Sequence, residues 1–428
     1  MIMYSRIAAK KSRTAAGRRA LVICLPALLA LILTACNPNG AGIFYSLENE
    51  KKVTNASNLS SAITVGSMVH YMNASTAAAA TVNAYYAAAG VVYAVGYDGT
   101  TATTTGSQWN TVGAPDSTHT WCEQVAVLDN DSGTATLYAI YAKPDGSEAF
   151  LYKGTPSSQS AVQTLTWTPV TGFDSSNFLA ESLYTAGPAA PGTDFAFVTA
   201  LNSDGSYSLY SWDGLVKTQY TYSHLSANVV GVTYDSVSGT YYFAAGSNYY
   251  SATSGAFASR TVNDTSASSP ARVVGSARSA PTNYGGIYWS STLSTLFLST
   301  RDGYVYATSN SGASWVSNGS AVGYGMNGLA ELTLAGTEVV VIGSDSGYYE
   351  VHLASGWTDS TLTIYQPSTS TGALTADANY PNLLLKTAAV RGFLTETVTG
   401  GTGLFAVSTS GLWFCDEGTN GLGSWIPE

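Results

Sequence analysis

Only five arginines follow Cys36: Arg260, Arg272, Arg278, Arg301 and Arg391. A guanidinium presents a planar fork of N–H donors that grips a carboxylate or phosphate through two parallel hydrogen bonds. Arg272, Arg278, Arg301 and Arg391 are therefore the candidate anion-binding residues, provided the fold brings them together. Other reactive groups are dispersed. His70, His119, His224 and His352 are too far apart in the chain to suggest a histidine-rich metal site or a Ser-His-Asp triad. Asp129-Asn130-Asp131-Ser132-Gly133 has the oxygen-rich look of a calcium loop, but it lacks the later bidentate glutamate and falls where a hairpin turn is needed. Glu331 and Glu350 form a nominal acid and base pair, although a chain with 27 carboxylates offers many such pairs. No catalytic residue, metal site or cofactor is expected.

The elements that would position the arginines repeat along the chain. A short apolar run, a tight turn and a second strand-like run recur seven times. They begin at VVYAVGYDG (91), LYAIYAKPDG (137), FAFVTALNSDG (195), YYFAAGSN (241), LFLSTRDG (296), VVVIGSDSG (339) and LFAVSTSG (404). Five carry an Asp-Gly or Asp-Ser-Gly turn, which suits hairpins because glycine takes positive φ and aspartate bonds its own backbone. The turns fall about 52 residues apart, a period that suits four-stranded blades.

The runs are apolar throughout, whereas a strand with one wet face would alternate. Both faces must therefore be buried. The pairs Tyr241-Tyr242, Tyr249-Tyr250 and Tyr348-Tyr349 fit this, since adjacent side chains point to opposite faces. Runs at 123, 228, 285, 328 and 388 precede the copies and would be inner strands around a central channel. An all-β fold, a β-propeller of seven four-stranded blades, is the expectation, with eight blades or two β domains as alternatives because residues 44–90 do not show the pattern. A weak helical period survives in the alanine-rich stretch 74–90. In such a ring Arg272 and Arg278 lie in an inter-blade loop, Arg301 flanks a turn on the same face, and Arg391 sits on an inner strand near the mouth.

In the fifth copy, TSNSGASW places Thr308, Asn310, Gly312, Ser314 and Trp315 at a fixed spacing. The stretch resembles the Asp-box, which occurs in propellers of the sialidase type and in many without that activity. The resemblance implies a structural hairpin: Asn310 accepting backbone N–H bonds across the turn, Gly312 left-handed, and Trp315 packed between blades. TTTGSQW ending at Trp109 and SATSGAF ending at Phe257 are worn versions. Sialidases also carry an arginine triad, opened by Arg-Ile-Pro, and a Tyr/Glu nucleophile pair. That tripeptide does not occur here, which counts against the activity.

The N-terminus gives an address. Six basic residues between Arg6 and Arg19 precede the apolar run 20–33, which is too short to span a bilayer comfortably. It ends in Leu33-Thr34-Ala35-Cys36, which resembles the bacterial lipobox. That implies a signal peptide over 1–35 and acylation of Cys36, with Asn37 favouring the outer membrane. All 27 acidic residues but only 11 of the 17 basic ones follow Cys36, so the body carries a net charge of −16. Such a charge argues against a nucleic-acid partner and against adhesion to anionic lipid. Cys122 and Cys415 would pair in an oxidising compartment only if the fold brought them together.

The expected organisation is a signal peptide over 1–35, a lipidated tether with a candidate ring-closing strand (42–50) over 36–60, and a propeller over 61–428. The expected function is a membrane-anchored binding platform, non-catalytic, for a protein or glycan. A glycan-active hydrolase on a sialidase-like scaffold and an envelope-assembly scaffold are the alternatives. The long Ser-, Thr-, Ala- and Asn-rich segments 257–285 and 357–387 are the expected partner-contacting loops.

Overall fold

The repeats form seven antiparallel meanders in a computed structural model of the chain. The structure describes residues 63–73, 82–97, 109–130, 134–187, 194–219, 227–253, 283–334, 337–352, 388–398 and 401–418. It also describes Leu59, Leu225, 263–264, Leu362, 364–365, Leu385, 421–422 and 425–428. Blade 1 covers 67–111, blade 2 121–169, blade 3 180–219 and blade 4 229–264. Blades 5, 6 and 7 cover 284–317, 326–365 and 390–427. Strand order within each blade is chain order, so successive strands are joined by hairpins. The architecture is a seven-bladed β-propeller. Among the described residues no helix is long and apolar enough to cross a membrane.

Seven apolar clusters hold the ring, one at each blade–blade contact. Val198 and Trp212 of blade 3 share a cluster with Leu128 and Leu151 of blade 2, and Phe197 of blade 3 packs with Phe243 of blade 4. The series continues through blades 4 to 7. It closes with Met68, Tyr85 and Trp109 of blade 1 against Phe405, Leu412 and Phe414 of blade 7, while blades 1 and 2 share Tyr86, Ala88, Leu137 and Tyr141. The tyrosine pairs divide as strand geometry requires. Tyr241 and Tyr250 face blade 3, whereas Tyr242 and Tyr249 face blade 5. Tyr348 faces blade 7 and Tyr349 faces blade 5.

Two expectations need correction. In the first copy, Val92–Gly96 is the third strand of its blade and not the second. The second strand is Val82–Ala88, inside the stretch whose alanine content suggested a helix. Alternation decides the matter: Tyr85 and Ala87 join the cluster with blade 7, while Ala84, Tyr86 and Ala88 join the one with blade 2. The turn that follows is at Gly90, with φ +77°. The second correction concerns the long segments 257–285 and 357–387. Each contributes two residues to an outer strand, Asn263–Asp264 in blade 4 and Ile364–Tyr365 in blade 6.

The closing strand expected over 42–50 lies outside the described residues. In blade 7 the position beside the third strand is taken by Ile426–Pro427, paired through Trp413 and Phe414. The seam between blades 7 and 1 also holds two titratable groups, a half-buried His70 and a buried Glu428. His70 Nδ1 lies 3.0 Å from Glu396 Oε1 and its Nε2 lies 2.6 Å from Asn83 Oδ1. Burial alone would lower the His70 value, but the hydrogen bonds and charge of Glu396 and Asn83 outweigh it and raise it. Burial pushes the Glu428 carboxyl up to about 8.

Both groups hold a proton more tightly in the folded ring than in the unfolded chain. Their contribution is fully present below the unfolded values and is lost as pH rises through the folded ones. The window runs from 4.5 to about 8 for Glu428 and upward from 6.5 for His70. Thermal unfolding from pH 5 to 9 should show a falling midpoint, and Glu428→Gln should remove most of that slope. At pH 9 the variant should be the more stable by about 1–4 kcal/mol. A midpoint that rises with pH, or a slope that survives in the variant, would contradict this reading of the seam.

Candidate functional site at the channel mouth

First strands line the channel, and in six blades they are irregular at one level. The pairing register skips Glu123 in blade 2, Glu181 in blade 3 and Val230 in blade 4. It skips Gly285 in blade 5, Asn327 and Gly328 in blade 6, and Arg391 in blade 7. A bulge inserts an unpaired residue and re-aims its side chain out of the ladder. In blades 3 and 7 the residue so presented, Glu181 or Arg391, is exposed, and inter-blade packing does not dictate its side chain.

At blades 5 to 7 the rim is tight. A Cβ on Gly285 would sit 1.7 Å from the Met326 carbonyl oxygen, and one on Gly328 would sit 2.7 Å from that of Arg391. Backbone meets backbone here, and only glycine fits. The first strands, with the turns between second and third strands, enclose a cavity of about 670 Å³ at this end. A neighbouring chamber of about 430 Å³ shares Gly66, Gln124 and Arg391 with it.

Arg301 and Arg391 line the same cavity. Arg272 and Arg278 lie outside the described residues. The two placed arginines differ in how they are held. Arg301, after the second strand of blade 5, bonds the Asn327 side-chain oxygen and lies 3.2 Å from Asp345 Oδ1. Asn327 is buried and donates from Nδ2 to the Val390 carbonyl at 2.9 Å, so the three side chains tie blades 5, 6 and 7 together. Arg301 is 43 % exposed and its ion pair contributes at most about 1 kcal/mol. Its role is geometric. Arg391 is exposed, and no carboxylate lies within ion-pair distance of it among the described residues.

Away from the mouth, where the first strand of blade 5 ends, Ser290 Oγ donates to Glu331 Oε1 of blade 6 at 2.5 Å and Tyr288 also bonds that carboxyl. Burial pushes the Glu331 value up. Glu331 does not face Glu350. Glu331 pairs with Val340 and Glu350 with Val341, so their side chains leave opposite faces of the sheet. Asp129 and Asn130 end the first strand of blade 2 at its hairpin, and Asn130 pairs with Thr134. No metal-ligating cluster occurs among the described residues. Cys122 lies between blades 1 and 2 and Cys415 between blades 6 and 7, so they are not joined to each other.

Thr308, Asn310, Gly312, Ser314 and Trp315 occupy the hairpin between the third and outer strands of blade 5. Asn310 Oδ1 accepts from the Ser314 N–H at 2.9 Å, and Thr308 Oγ1 accepts from the Gly312 N–H at 3.0 Å. Gly312 has φ +84°. Trp315 is buried against Tyr249 of blade 4, with ring centroids 5.7 Å apart. This hairpin is at the opposite end of its blade from Arg301. Cys36 lies outside the described residues.

Four residues of the mouth are not singled out by the sequence: Asn327, Asp345, Gln124 and Trp121. Asp345 reads as ordinary turn chemistry. The others follow no motif; Asn327 and Gln124 lie at or beside a bulge, and Trp121 begins its strand in regular register.

No protein-family model matches the chain, and no curated protein matches it. Similar solved structures are a Dos1 propeller (11 % identity, 86 % of this chain and 81 % of that one, TM-score 0.52) and an ancestral GH74 enzyme (17 %, 86 % and 46 %, 0.55). A third is an extracellular domain from B. thetaiotaomicron (11 %, 82 % and 38 %, 0.51). The chain spans less than half the length of the latter two. At these identities the likeness is one of fold.

The rim makes a specific claim about glycine. Gly285→Ala and Gly328→Ala should each destabilise the protein by about 3 kcal/mol through backbone overlap. Gly392→Ala, one strand away with nothing within 4 Å of its Cβ, should stay within about 0.5 kcal/mol of the parent. Urea denaturation of the three variants decides it, and equal midpoints would sink the close-packed rim.

Proposed function

We propose that the chain is a lipid-anchored envelope protein of the outer membrane whose propeller is a non-catalytic binding platform for a glycan or protein. Residues 1–35 act as the export signal, Cys36 carries the lipid, 36–60 form the tether and 61–428 the binding body. The observation that carries the reading is the pair of joined cavities at one end of the channel, with the exposed Arg391 on the wall of both. Concave sites of roughly 300–1,000 Å³ with a few convergent polar groups suit small ligands or single side groups of larger ones. The lipobox-like Leu33-Thr34-Ala35-Cys36 supports the anchor, at about 0.8 kcal/mol for each buried methylene.

Two measurements test this. Cells fed labelled palmitate should acylate the parent chain, while Cys36→Ser should lose the label and leave the membrane fraction. The purified full chain should retain envelope or surface glycans, or a protein that bears them, without releasing reducing ends. Steady release of reducing sugar would replace the platform with a glycan hydrolase.

A further inference from the structure

The smaller chamber brings an aromatic ring, Trp121, and a guanidinium, Arg391, to one wall. Ile63, Thr64, Gly90, Trp121, Gln124 and Arg391 are among its lining residues. Trp121 starts the first strand of blade 2 and is 51 % exposed, a large aromatic surface left in water. One side of its ring lies over Gly90, where a Cβ would come within 3.1 Å, so the indole is braced in place. The opposite demand is set by Arg391, whose guanidinium has no carboxylate within ion-pair distance among the described residues, unlike Arg301 beside it on the rim. Between them Gln124 uses its Oε1 to accept the Leu183 N–H at 2.5 Å, which fixes the amide and aims its remaining donors.

A braced indole offers a flat face to apolar C–H groups, and its quadrupole favours the positive edge of such groups. The axial C–H face of a pyranose ring is a surface of this kind. An exposed arginine adds the fork that matches a carboxylate. Threonine and glutamine at the same wall suit hydroxyls. The body's charge of −16 opposes a polyanion, because each further negative group costs more against the like-signed field. One carboxylate per sugar is what the site can accept.

From these features we infer that the chamber binds an acidic saccharide, a uronic-acid-type sugar whose ring lies on Trp121 and whose carboxylate meets Arg391. The inference rests on the reading of the mouth as a binding face and names the ligand class for it.

The test is calorimetric titration of the full chain in detergent with glucuronate- and galacturonate-containing disaccharides, their neutral hexose counterparts, and acetate. The acidic disaccharides should bind at least tenfold more tightly than the neutral ones, and acetate should show no measurable binding. Arg391→Gln, an exposed change that should leave the melting temperature unmoved, should erase the acidic preference while weak neutral binding persists. Trp121→Ala should weaken both sugar classes tenfold or more, with Trp121→Phe intermediate to show that stacking and not misfolding is lost. Equal affinity for acidic and neutral sugars, or indifference to Arg391→Gln, would overturn the acidic class while leaving a glycan platform standing. Absence of binding by every sugar would overturn both this inference and the glycan form of the platform.

Discussion

Each blade buries both faces of its second strand, and this constraint shapes everything else in the molecule. In Thr240–Ala245, Tyr241 belongs to the contact with blade 3 and Tyr242 to the contact with blade 5. A sheet of that composition has no wet side. It is satisfied only between two other sheets, and a finite stack is satisfied only when it closes. Fully burying a large apolar side chain contributes about 1.5–3 kcal/mol, and every contact in the ring holds several. The seam between blades 7 and 1 is built like the other six, from Met68, Tyr85, Trp109, Phe405 and Phe414, so no contact is left as an open edge.

Closure has a cost at the axis. Seven first strands converge there, and in blades 5 to 7 their backbones approach until side chains no longer fit. Gly285 and Gly328 answer that crowding, and bulges in six of the blades absorb the remaining mismatch by pushing one or two residues out of the ladder. The same irregularity that relieves packing therefore creates the rim. In blades 3 and 7 the bulge needs no particular side chain, so Glu181 and Arg391 occupy equivalent positions. Arg301, Asn327 and Asp345 then lock three adjacent blades around the opening.

Much of the fold is legible in the sequence because its signal is composition repeated at a period. Six of the seven second strands, from LYAIYA to LFAVS, stand where their apolar runs lie, and five of them follow an expected first strand. The first strand of blade 3, Ala180–Ala186, is not among the expected runs. The exception among the second strands is instructive. Val82–Ala88 packs on both faces like its counterparts, but it does so with alanine, whose small side chain carries no strand preference of its own. The run that follows, VVYAV, carries the stronger propensity and reads as the copy instead. The mouth is less legible. Arg301 and Arg391 can be placed from their distance to turns and inner strands, since the ring puts those features at one end. Asn327 and Gln124 cannot, because a bulge shifts register and leaves no mark in composition, and Trp121 opens its strand with no motif around it.

The central claim is that the blades are stable only as a closed set. Native-state hydrogen exchange on the second strands of all seven blades tests it most directly. Their amides should exchange at one common, slow rate through a single global opening. A blade whose second strand opens by itself, orders of magnitude faster than its neighbours, would show that inter-blade burial does not hold the ring together and would contradict the account.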